Sequence, residues 1–117
     1  VIALLDKEPG FQLVLEKLDD AVISAVNYAE IVYNYALDGI SPAEIRGHLD
    51  SLDLRVVPFD VASAFDVGLL RPLTRPQGLS LGDRTCLALG RHLEVPVLTS
   101  DQRWRGVEVG VQVMFIR

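Results

Sequence analysis

The sequence predicts an α/β fold, a three-layer α/β/α sandwich built on a central parallel sheet. Two observations carry that expectation. Short segments apolar on both sides, Ala21 to Ser24, Leu54 to Phe59, Val95 to Leu98 and Val111 to Ile116, read as buried strands. Segments of helical period lie between them, so helices return the chain to the same sheet through right-handed crossovers. Size agrees: 117 residues, 50% hydrophobic and 23% charged, make one globular domain.

Each element has its own local justification. Pro9-Gly10 breaks a first short helical pattern, and Phe11, Val14, Leu15 and Leu18 recur at i, i+3, i+4 and i+7 as the apolar face of a second. The strand Ala21 to Ser24 runs directly into a helix over Ala25 to Leu37. There Val26, Ala29, Tyr33 and Ala36 or Leu37 form a stripe, and Gly39 closes the helix. Ser41-Pro42 opens the next helix, with serine as cap, proline where its missing N–H is harmless, and Glu44 reaching back; it ends near Leu52. The run Leu54 to Phe59 is β-branched, with Pro58 near its end. Asp60 caps a helix from Val61 to about Leu70, and Arg71 to Gly78 reads as a proline-punctuated loop. Ser80 caps the helix Leu81 to Glu94. The strand Val95 to Leu98, a turn containing Asp101 and the strand Val111 to Ile116 complete the chain, which no repeat or linker divides.

Composition excludes several classes. The apolar run Val1 to Leu5 stops at Asp6, far short of the roughly 20 residues of a membrane span or the 7 to 15 of a signal core. The single cysteine, Cys86, has no internal disulfide partner, and neither it nor His48 and His92 has neighbours at zinc spacing. The expectation is a cytoplasmic protein without membrane contact, with Cys86 in the core and the histidines at surface or boundary positions. The net charge of −5 is unevenly spread: residues 1 to 66 hold twelve acids and four bases. Residues 71 to 105 instead carry Arg71, Arg75, Arg84, Arg91, Arg103 and Arg105 against three acids. Arginine's planar fork suits phosphate.

Three carboxylates stand out by position. Glu30 is the only charged residue between Ser24 and Leu37, on a row with Asn27 and Asn34 in a helix otherwise apolar or aromatic. Asp83, in S-L-G-D, can close a capping box with Ser80. Asp101, in T-S-D, follows an apolar strand at the sheet edge where open α/β folds place ligands, and equally suits a turn or cap. All three emerge at one edge, where carboxylates without fixed cationic partners repel one another. A divalent cation removes that cost, and ligation by oxygen alone suits Mg²⁺ or Mn²⁺. With the arginine-rich stretch alongside, a phosphodiester is the candidate substrate.

The segments I-S-A-V-N-Y-A-E-I (23 to 31), G-L-S-L-G-D-R-T-C-L-A-L-G (78 to 90) and V-P-V-L-T-S-D-Q-R-W (95 to 104), with V-V-P-F-D (56 to 60) between them, resemble the downstream acidic motifs of PIN-domain ribonucleases. The likeness is greatest to VapC-type toxins of bacterial toxin–antitoxin pairs and covers nearly the whole chain in order and spacing. It implies that Glu30, Asp83 and Asp101 are the metal ligands, that Thr99 orients the last acid, and that Ser24 and Asn27 support the site. It implies a metal-dependent endoribonuclease acting on structured RNA such as tRNA or rRNA, a homodimer, and inhibition by a small antitoxin. Arg71, Arg75, Arg84, Arg103 and Arg105 become the expected RNA contacts. The family also begins with a strand ending in Asp-x-Ser, which nothing before Val1 matches. Either a strand of about 5–10 residues carrying a fourth acid is missing, or the site has three acids, enough for one ion. The alternative function is a catalytically inactive PIN-like module that binds RNA or a partner. A receiver-type domain is excluded, because both lysines, Lys7 and Lys17, lie early.

Overall fold

A computed structural model of the chain describes residues 21–99 and 101–115. The two helical patterns expected ahead of Ala21 and the end of the last strand lie outside the described residues. The order is β1 (Val22–Ser24), α1 (Ala25–Leu37), α2 (Pro42–Ser51), β2 (Arg55–Val57), α3 (Val61–Leu73), α4 (Leu81–Leu93), β3 (Val97–Thr99) and β4 (Val113–Phe115). Single turns of 3-10 helix at Arg75–Gln77 and Gln102–Trp104 flank α4 and β3.

The helix starts carry the caps expected at Ser41, Asp60 and Ser80, and Ser24 adds one that was not expected. Ser24 Oγ accepts from the Val26 N–H, Ser41 Oγ from Glu44, Asp60 Oδ1 from Ser63 and Ser80 Oγ from Asp83, each satisfying a first-turn donor. Glu44 differs in detail: its carboxylate accepts the Ser41 hydroxyl at 2.9 Å. Helix α3 overturns the expected loop, running to Leu73 through Pro72, with the 3-10 turn behind it. Pro72 falls in the last turn, where its missing N–H would have met the carbonyl of Gly68, an exposed residue whose oxygen water can satisfy. Thr74 then closes the helix, its N–H and hydroxyl both bonding the Leu70 carbonyl.

The buried side of α1 is also not the expected one. Tyr33 and Leu37 are 61% and 65% exposed, whereas Asn27 and Ile31 are buried and Tyr28, Val32 and Tyr35 pack against the core. The helix is turned so that the Asn27 amide faces inward.

The strands are parallel, as expected, but shorter. They form two pairs: β1 with β2 in the register Ile23 to Val56, and β3 with β4 in the register Leu98 to Met114. Among the described residues these are separate two-stranded sheets instead of one. β2 is an exposed edge, with Arg55 and Val56 at the surface. β3 starts late because the Val95 N–H is taken by the Gly90 carbonyl at the end of α4, and Pro96 has no N–H to offer a ladder.

Each strand pair has its own core. Ala21, Ile23, Ile31, Ile45, Leu49 and Leu52 form one; Val67, Leu70, Leu87, Val97 and Trp104 are the centre of the other, which also buries Cys86. Gly90 lets α4 lie against β3: a Cβ there would stand 3.1 Å from the Val95 oxygen and from Val111 Cγ2, and would collide with Val97.

Candidate active site

Glu30 sits on α1, half-buried, one turn beyond Asn27. The buried Asn27 amide joins two parts of the chain: Nδ2 donates to Glu30 Oε1 and to the Gly82 carbonyl, both at 3.0 Å. Glu30 lies so close to Gly82 that a Cβ at that position would stand 2.6 Å from Oε1 and closer still to Oε2. Glycine is therefore required before Asp83 for the glutamate to approach the start of α4. Sequence reasoning passed over Gly82, although S-L-G-D places it beside a candidate ligand.

Asp83 is 2% exposed and completes the expected capping box. Its Oδ2 accepts from the Ser80 N–H at 2.9 Å, while its own N–H bonds Ser80 Oγ. Oδ1 is buried without a hydrogen-bond partner, and so is Asn27 Oδ1. Such oxygens are costly to leave bare and are natural acceptors for a ligand.

Asp101 follows β3. Its N–H donates to the buried Thr99 Oγ1 at 3.1 Å, and its Oδ1 accepts from the Arg103 N–H at 2.8 Å. The Arg103 guanidinium bonds the same carboxylate through Nε and Nη2, at 2.9 and 2.6 Å from Oδ2. These hydrogen bonds hold the Asp101 carboxyl below its ordinary pKa, against a smaller opposing effect of burial. Nη2 also stands 3.8 Å from Asp83 Oδ2. Asp83 and Asp101 thus share a cationic partner, contrary to expectation, and the D-x-R spacing of Asp101 and Arg103 was its signal.

Glu30 therefore abuts the residue before Asp83, and Asp83 and Asp101 share one guanidinium. No three acidic, histidine or cysteine side chains among the described residues form a group arranged to hold an ion. Of the expected supports, Asn27 and Thr99 bond the acids or their backbone directly, while Ser24 acts by capping α1.

The arginines divide. Arg84 donates to the Val67 and Ser80 carbonyls and ties α4 to α3. Arg105 lies over the Phe115 ring, 4.5 Å from its centroid, and bonds Gln102. Arg71 and Arg75 are exposed, and no hydrogen bond or ion pair engages their side chains among the described residues. The Arg75–Gln77 turn borders the loop after Trp104, since a Cβ at Gly106 would lie 3.6 Å from Gln77 Nε2.

The family model for the PIN domain matches residues 1–109. Among solved structures, the chain is similar to the crystal structure of VapBC2 from Rickettsia felis bound to a DNA fragment from their promoter. The TM-score is 0.62 at 18% identity, over 88% of this chain and 80% of that one, a likeness of fold. No curated protein matches in sequence. No helix among the described residues is long and apolar enough to cross a membrane.

Proposed function

The chain belongs to the PIN-domain family, and on that footing we propose that it is a Mg²⁺- or Mn²⁺-dependent endoribonuclease, the toxin of a toxin–antitoxin pair. Glu30, Asp83 and Asp101 are its catalytic and metal-holding carboxylates in this reading. The observation that carries it is that Asn27, Gly82 and Arg103 link these acids, drawn from distant segments, around one junction. A bound ion would supply the charge that activates a water and shields the leaving oxygen of a phosphodiester. The chain's own residues fit such an ion through the bare, buried Asp83 Oδ1. Asn27 holds Glu30 in place, Thr99 fixes the turn that carries Asp101, and Arg71 and Arg75 offer phosphate contacts.

Structured RNA, tRNA or rRNA, is the proposed substrate, a small antitoxin the proposed inhibitor and the cytoplasm the proposed compartment. A homodimer has a surface to use: Val61, Phe65, Leu69 and Leu73 form an exposed i, i+4 row along α3, which a second copy could cover about a two-fold axis.

The test is Mn²⁺-dependent cleavage of tRNA and rRNA by the purified protein, with Asp83→Asn and Asp101→Asn as folded controls that do not cut. The alternative, a module that binds RNA or a partner without cutting, is favoured by Arg103 standing where Asp83 and Asp101 meet. Retained RNA binding with no cleavage at saturating Mn²⁺ selects it.

A further inference from the structure

We propose that Arg103 is a built-in counter-ion that closes the carboxylate site in the metal-free protein and has to leave Asp101 before a divalent cation can bind. The inference rests on the metal-dependent reading above and concerns how this chain controls that site.

The geometry is that of an occupied carboxylate. Asp101 Oδ1 accepts from the Arg103 N–H at 2.8 Å and from Nε at 3.1 Å; Oδ2 accepts from Nε at 2.9 Å and from Nη2 at 2.6 Å. Three N–H groups, the Nε–H shared between the two oxygens, occupy most of the about four acceptor positions of the Asp101 carboxylate and leave little of it for an ion. Nη2 reaches on to Asp83 Oδ2 at 3.8 Å, so the same group screens the second acid. An ion at Asp83 and Asp101 would need the space and the lone pairs that the guanidinium holds.

The clamp is also built to open locally. The Arg103 side chain is 58% exposed, so the guanidinium can pass into water without crossing the core. The neighbouring Trp104 is 1% exposed and anchors the turn, and the bond from the Arg103 backbone N–H to Asp101 Oδ1 does not involve the arginine side chain. Rotation about side-chain bonds therefore frees Oδ2 while the turn stays in place. Asp83 Oδ1, already bare, needs no such release. The two aspartates differ accordingly: Asp83 keeps one oxygen without a partner, and Asp101 has both oxygens engaged by an internal cation.

The experiment is a Mn²⁺ titration of the metal-free chain, followed by the electron paramagnetic resonance of the free ion, for the wild type, Arg103→Ala and Arg103→Lys. Removing the fork should tighten Mn²⁺ binding about fivefold or more, the factor that corresponds to an exposed ion pair at the top of its usual range. Lysine keeps the charge but loses the two-pronged grip, so its affinity should lie between the two, nearer to alanine. If the alanine variant does not fold, Arg103→Gln is titrated in its place. Crystals of the wild type grown with Mn²⁺ should show Nη2 withdrawn from Asp101 Oδ2. Equal or weaker binding by the alanine variant, or an ion bound with the clamp still closed, overturns the inference and leaves the metal reading standing. Lysine behaving as arginine overturns the clamp in favour of general charge repulsion. Failure of every form to bind Mn²⁺ overturns the metal reading and the inference with it.

Discussion

The part of the chain around β1 and β2 and the part around β3 and β4 are both helix-covered parallel pairs, yet they bury their helices differently. Helix α1 buries only Asn27 and Ile31, and α2 only Ile45 and Leu49. Helix α4 is submerged from Gly82 to Gly90 apart from Arg84. A cavity of about 250 Å³ lies where the parts meet, lined by Ser24 and Val57 on one side and by Asp66, Thr85 and His92 on the other. The difference shows how the candidate site is divided. The second part supplies Asp83 from a buried helix start held by a reciprocal capping box. The first supplies Glu30 from a half-exposed helix, where Asn27 bonds its carboxylate and Gly82 leaves room for it.

Four substitutions and one acid titration separate the two parts. Gly90→Ala should cost the most stability, about 1–3 kcal/mol, because the new methyl meets backbone and β-branched side chains that cannot yield. Chemical denaturation measures the loss, and hydrogen exchange should place it in α4, β3 and β4. Gly82→Ala meets only the end of a flexible glutamate. Its melting temperature should change little while Mn²⁺ affinity and cleavage fall at least about tenfold, the signature of an acid pushed aside. Retained cleavage would remove Glu30 from the site.

Each part also holds one non-glycine residue in left-handed backbone, Asp53 at φ 54° and Glu94 at φ 55°. Glycine at either position should raise stability by up to about 1 kcal/mol, more at Glu94, since aspartate tolerates this conformation better. The two gains should add if the parts are independent. Smallest is the effect of acid. Asp101, through Arg103, and Asp60, through the Ser63 N–H, both have lowered pKa values. The stability they contribute is complete above the ordinary carboxylate pKa of about 4 and is lost as pH falls through their lower folded values. Arg103→Ala should weaken the part of that acid dependence due to Asp101, read as melting temperature between about pH 5 and 2.

Helix starts were legible in the sequence because a cap is made within four residues, and Ser41, Asp60 and Ser80 cap as read, while the cap at Ser24 was missed because that residue was read as the end of a strand. Strand limits were not, because β3 begins only after the end of α4 has captured the Val95 N–H. Pro72 suggested a loop, but a proline in a last turn gives up one bond, to a carbonyl that water can reach. The inward face of α1 was misread because a polar residue, Asn27, takes a core position. All three acids were visible as outliers, and the Asp83 capping box was foreseen. What could not be seen was tertiary: the approach of Glu30 to Gly82 and the reach of Arg103 to Asp83, whereas its bond to Asp101 had a signal in the D-x-R spacing that was passed over.

Trp104 is the chain's only tryptophan, and it lies 1% exposed in the core beside Arg103, its indole N–H without a hydrogen-bond partner. The molecule therefore carries an intrinsic optical probe one residue from its candidate ion switch. Because no second indole dilutes the signal, changes in emission wavelength and quenching upon ion or RNA addition report on this turn alone, in unlabelled protein and on the timescale of a stopped-flow trace.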